Sequence, residues 1–66
     1  MSEPFWRAVR ELPERQRAAV ALHYLDDMSV AGIADVLGVT VGTIKTSLFK
    51  ARRSLAVTLG AEEVDG

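Results

Sequence analysis

Between Thr40 and Leu59 the apolar residues Val41, Ile44, Leu48, Ala51 and Leu55 recur every three or four positions. That spacing places them on one stripe of an α-helix. The rest of the helix surface carries Thr43, Lys45, Thr46, Phe49, Lys50, Arg52 and Arg53, which are hydroxyls, cations and one ring, with no acidic residue. Thr40 stands where a side-chain oxygen accepts an N–H of the first turn and so caps the helix. A helix that is apolar behind, cationic in front and short of bulk at its start suits a DNA major groove. The remaining chain is then expected to hold this helix out.

The upstream segments read as three shorter helices. Ser2-Glu3-Pro4 supplies a capping hydroxyl, an acid that suits the helix dipole and a proline tolerated in the first turn. Phe5, Val9 and Leu12 follow on one face. Pro13 interrupts this helix and is expected to be the first residue of a second, running to about Asp26. The second helix is expected to bury Ala18, Leu22 and Leu25, flanked by Ala19 and Ala21. Ser29 caps a third over Val30 to Leu37, whose inner face is Val30, Ile33, Ala34 and Leu37, and Gly38 stops it in the left-handed conformation. Helix, glycine-containing turn, then a longer cationic helix is the order of a helix-turn-helix. The expected fold is therefore all-α: a small four-helix domain over residues 1–60, without a wing, and an acidic, flexible tail at 61–66.

Composition removes several alternatives. The sequence has no cysteine and a single histidine, His23, so neither disulfides nor thiolate metal sites can form. No nucleophile–base pair, phosphate loop or metal cluster can be assembled, and neither enzyme activity nor a cofactor is expected. No apolar run approaches the roughly 18 residues of a membrane span, so no membrane insertion is expected. The net charge is −1, but Lys45, Lys50, Arg52 and Arg53 lie close together with no acid among residues 40–55. Such a module binds phosphates locally and, by itself, weakly.

Leu12-Pro13-Glu14-Arg15-Gln16-Arg17, Tyr24-Leu25, Ser29, Ile33-Ala34, the run from Leu37 through Thr46, and Ala51-Arg52 together resemble region 4 of bacterial sigma-70 family sigma factors. The likeness is to the extracytoplasmic-function (ECF) group and extends over about residues 5 to 59. It implies a cytoplasmic domain whose last helix reads the −35 element of promoters. It also implies docking on the β flap of RNA polymerase through the earlier helices, and in many members cover by an anti-sigma factor. The chain lacks the part of such factors that melts the −10 element, so it is expected to be an excised domain or a stand-alone relative. Relatives often carry Arg where this chain has Lys45, Ser47 and Lys50, and Arg presents a bidentate fork to guanine that Lys and Ser cannot.

Within that frame Lys45, Thr46, Phe49 and Lys50 are expected at base edges. Phe49 has a second reading, in which its ring closes the core from the side. Arg52, Arg53, Thr40 and Thr43 are expected on the DNA backbone, where contacts set register without reading sequence. Arg15 and Arg17 serve either the backbone or surface solubility. Trp6, Leu22 and Leu25 are the candidates for a protein interface, with a core role for Trp6 as the alternative. Two rival functions remain at this level: a protein-interaction module bound by an anti-sigma factor or the polymerase flap, and a LuxR-type helix-turn-helix regulator that dimerises on paired half-sites.

Overall fold

The computed structural model describes residues 2–60, so the acidic tail expected at 61–66 lies outside the described residues. Four helices follow one another: α1 (Glu3–Arg10), α2 (Glu14–Tyr24), α3 (Val30–Leu37) and α4 (Val41–Leu59). There is no strand among the described residues. α2 and α4 pack together at the centre and each touches both remaining helices, whereas α1 and α3 do not meet.

Each boundary has a local cause. The Ser2 side chain accepts the Phe5 N–H, Ser29 that of Gly32 and Thr40 that of Thr43, so three helices begin on a hydroxyl that satisfies an otherwise orphan donor. Pro13 is the N-cap of α2 rather than its first helical residue, and its carbonyl accepts the first intrahelical bond, from Arg17 N–H at 2.8 Å. α2 also stops at Tyr24, short of the expected Asp26. Here the His23 Nδ1–H donates to the Met28 carbonyl at 3.0 Å, and the Met28 N–H donates to the Leu22 carbonyl at 3.1 Å. These bonds fold the chain back while Asp27 takes φ 54°, a left-handed angle that aspartate tolerates better than most residues.

Gly38 adopts φ 70°, the Val39 N–H bonds the Ala34 carbonyl at 3.0 Å, and the Gly38 N–H bonds the Asp35 carbonyl at 3.3 Å. This pair of bonds is the Schellman arrangement, which ends α3 and turns the chain sharply. α4 leaves at 106° to α3, within the range of a helix-turn-helix.

The core is assembled from all four helices and the α1–α2 turn. Val20, Ile33 and Ile44, one each from α2, α3 and α4, are its largest fully buried side chains. Burying each contributes about 1.5–3 kcal/mol. α3 buries Ile33 and Ala34 as its spacing requires, with Val30 and Leu37 half-buried beside them. On α4, Ile44, Leu48, Ala51 and Leu55 are buried, while Val41 at the first turn is 40% exposed.

α2 departs from expectation. Its fully buried residues are Ala19 and Val20; Ala18, Ala21 and Leu22 are half-buried, and Leu25 is 64% exposed just beyond the helix end. α2 has helices on several sides, so its buried arc is wide and its centre cannot be read from a single stripe. Trp6 is half-buried against the core, edge-on to Phe5 at 5.0 Å, and Phe5 in turn meets Tyr24 at 6.4 Å. Trp6 therefore takes part in the core packing while remaining partly exposed.

Candidate nucleic-acid interface

α4 presents its start and its outer face freely because the core holds only its inner stripe. The Thr40 hydroxyl accepts the Thr43 N–H at 3.1 Å and shares a hydrogen bond with the Thr43 hydroxyl at 2.9 Å. The Ile44 N–H, at 3.2 Å from the Thr40 carbonyl, makes the first intrahelical bond. The N–H groups of Val41 and Gly42 precede it and point out of the helix start with its positive dipole end. Gly42 is exposed and adds no bulk there.

Lys45, Thr46, Phe49, Lys50, Arg52 and Arg53 are all exposed, and Thr43 is half-buried. With successive residues about 100° apart, Thr46 and Arg53 lie opposite the buried stripe, with Phe49 alongside. Lys45 and Arg52 form one flank, Thr43 and Lys50 the other. The expected residues thus divide into an outer strip and two flanks.

Phe49 is 58% exposed and does not close the core. The Arg53 guanidinium lies over its ring, 5.8 Å from the centroid, a cation–π contact between helix neighbours. The pair forms one flat, cationic and partly apolar element at the middle of α4. Arg52 behaves differently. Its Nε–H donates to the Tyr24 hydroxyl at 3.3 Å, which draws it toward the end of α2 and away from the cap flank with Thr40 and Thr43.

Ser47 is a clear correction. The likeness to arginine-bearing relatives counted it among the groove-facing positions, yet it is 7% exposed. One residue after Thr46, it has rotated onto the packed side of α4. Its small size, rather than reach, is what this position uses here.

The flank with Lys50 borders an open cleft of about 610 Å³ between the starts of α2 and α4. Arg15 and Gln16 contribute from α2, and Thr40, Thr43, Thr46 and Lys50 from the α4 side, with no carboxylate in the lining. Arg15 is exposed and belongs to this surface. Its signal in the sequence was its place two residues after Pro13, which only the packing of α2 on α4 converts into proximity. Arg17 does not join it, because its Nη1 donates to the Arg10 carbonyl at 3.3 Å and secures the end of α1. The Gln16 Oε1 is buried without a hydrogen-bond partner among the described residues.

Both ion pairs among the described residues belong to Glu3, with Arg7 and with Arg10. The cations of α4, and Arg15, have no carboxylate partner among those residues. No three His, Asp or Glu gather as a metal site among them either. No single helix in this part is long and apolar enough to cross a membrane. On the far side, Leu25 is the one expected interface residue that stands clear of the core, since Trp6 and Leu22 are packed against it.

A capped cationic helix set at 106° to a short helix ended by a left-handed glycine defines a helix-turn-helix domain. Comparison with known sequences narrows the class. Residues 2–55 match the family model described as Sigma-70, region 4, and the chain belongs to that family. It is 44% identical over 54 residues to the ECF RNA polymerase sigma factor SigM of Mycobacterium tuberculosis, covering 82% of this chain and 28% of that protein. It is 31% identical over 55 residues to the ECF RNA polymerase sigma factor SigW of Bacillus subtilis, covering 83% and 29%. With the ECF RNA polymerase sigma-E factor of Escherichia coli it shares 36% over 50 residues, covering 76% and 26%. The chain therefore spans less than a third of the length of these relatives. No solved structure matches it.

Proposed function

We propose that this domain reads the −35 element of promoters as domain 4 of an ECF sigma factor, working in the cytoplasm with RNA polymerase and performing no catalysis itself. The observation that carries the reading is the outer face of α4. Its cations lack carboxylate partners among the described residues, and α4 turns by 106° from α3, the arrangement of a helix-turn-helix. Lys45 and Thr46 present a donor and a hydroxyl to base edges, and Phe49 offers an apolar surface to a thymine methyl. Thr40, Thr43 and Arg53 take the backbone. Arg52 reaches phosphate only by leaving Tyr24, and Lys50 shares the cleft flank with Arg15.

Selection of bound duplexes from a random pool, at stated salt and with and without the polymerase β flap, tests this. An enriched motif is expected, more strongly with the flap. Lys45→Ala should relax preference at one base position, losing about 1–3 kcal/mol on the best site, while Arg53→Ala should weaken all sequences alike. No motif in either condition removes direct readout.

A second reading rests on Leu25, whose 64% exposure is high for a large apolar side chain. It makes the surface near Leu25, Leu22 and Trp6 the seat of the β flap or of an anti-sigma factor. Leu25→Asp should then abolish polymerase-dependent binding and leave the fold intact. The region 4 family match favours one site per domain over the LuxR-type alternative, and sedimentation on a duplex with two half-sites checks this.

A further inference from the structure

We propose that Phe49 is a positioning residue for DNA binding: its ring is the platform that holds the Arg53 guanidinium for one backbone phosphate. The inference rests on the DNA-binding reading above and gives Phe49 a task that passes through Arg53, separate from any thymine methyl.

Helix side chains lean toward the N-terminus, so Arg53 reaches back over the turn of α4 that carries Phe49. Its guanidinium lies over the ring, 5.8 Å from the centroid, and the ring is exposed rather than turned into the core. Attraction to a ring face uses the charge of the guanidinium and none of its N–H donors. Those donors are uncommitted, since Arg53 has no ion pair and no hydrogen bond among the described residues. Arg52 beside it instead gives its Nε–H to the Tyr24 hydroxyl at 3.3 Å. Of the two adjacent arginines, Arg53 is thus the one held by a contact that leaves its whole fork available. A long side chain loses rotamer freedom when a ligand orders it, and the ring removes part of that loss before DNA arrives. Arg53 also lies about 10 Å along α4 from Thr46, beyond the roughly 8.5 Å depth of the major groove. A helix that enters by its start therefore brings Arg53 to the rim, where phosphates stand. Arg53 is the last cation of α4, and one turn further the outer strip carries Val57, which is 85% exposed, so no later residue of the helix can take its place there.

The test is anisotropy titration of the domain, with the polymerase flap present, against its selected duplex and a scrambled one over a range of salt. Phe49→Leu keeps an apolar side chain and removes the aromatic face; it should weaken both duplexes alike, by about two- to fivefold. Arg53→Gln should weaken both alike and lower the slope of log K against log salt by about 1. In the Arg53→Gln background Phe49→Leu should lose nothing further, whereas Phe49→Tyr, which retains the face, should bind as the parent does. A series of duplexes, each neutralised at one phosphate by methylphosphonate, should contain one on which the parent, Phe49→Leu and Arg53→Gln bind equally. Replacing thymines by uracil should leave the Phe49→Leu loss in place. Both side chains are exposed, so the variants should melt as the parent does.

Unchanged binding by Phe49→Leu, or a loss that persists in the Arg53→Gln background or on every neutralised duplex, overturns the platform and leaves DNA recognition standing. A Phe49→Leu loss confined to one thymine, and removed by uracil there, overturns it in favour of a methyl contact alone. A folded parent that binds neither duplex overturns the DNA reading itself.

Discussion

Replacing Gly38 by alanine isolates the turn that aims the recognition helix. Gly38 has φ 70°, and a Cβ built on it meets nothing within 4 Å, so the substitution brings backbone strain without a steric clash. The left-handed conformation costs an alanine about 1–2 kcal/mol. Alanine also narrows the unfolded ensemble, which returns about 0.4–1 kcal/mol. The net loss is then about 1 kcal/mol. In a domain of this size that lowers the melting temperature by roughly 4–8 °C. Asparagine, which visits the left-handed region more readily, should lose about half as much.

Gly42→Ala is the internal control. It is the same chemical change in the first turn of α4, where a Cβ meets only the Thr40 Oγ1 at 3.9 Å. Here alanine gains helix propensity and should stabilise by about 0.5 kcal/mol. Thermal and urea unfolding followed by far-ultraviolet circular dichroism read all three variants. Opposite signs for the two alanines are the expected outcome. A Gly38→Ala protein as stable as the parent, or a Gly38→Asn protein no more stable than Gly38→Ala, refutes the strain argument.

Two further substitutions probe the interior. Ile44→Ala removes a fully buried side chain at about 2–5 kcal/mol, against a total stability of roughly 3–10 kcal/mol for a chain of this length; urea unfolding should show its transition moved close to zero denaturant or lost. Gln16→Met should raise the urea midpoint, by the equivalent of about 1 kcal/mol, because it removes a buried acceptor that has no partner among the described residues. A lower midpoint would mean that Oε1 is bonded in solution.

The helices were legible in the sequence wherever a hydroxyl cap, a proline or a glycine coincided with the hydrophobic period. Val30–Leu37 and Val41–Leu59 run between the residues that the Ser29, Gly38, Thr40 and Gly60 signals mark. The end of α2 was not legible. It depends on His23 reaching the Met28 carbonyl, a bond across a turn that no local propensity encodes. The buried face of α2 is illegible for a related reason: a helix with neighbours on several sides shows no single apolar stripe, so periodicity neither marks Val20 as buried nor reveals that Leu25 is exposed. Of the candidate site, the exposed strip of Thr46, Phe49 and Arg53 and the flank with Lys45 followed from periodicity. Ser47 did not, because a small residue at the edge of a stripe can face either way.

What the sequence determined by itself was the recognition helix: its cap at Thr40, its inner stripe from Ile44 to Leu55, and an outer face free of acids. These follow from covalent order and a 3.6-residue repeat, and need no partner helix to be read. Tertiary structure alone decided how the cations are shared out. Packing α2 across α4 brings Tyr24 to Arg52 at one end and Arg15 to the cleft beside Lys50 at the other. These pairs are separated by 28 residues and more in the chain, and only the closing of a common core could bring them together.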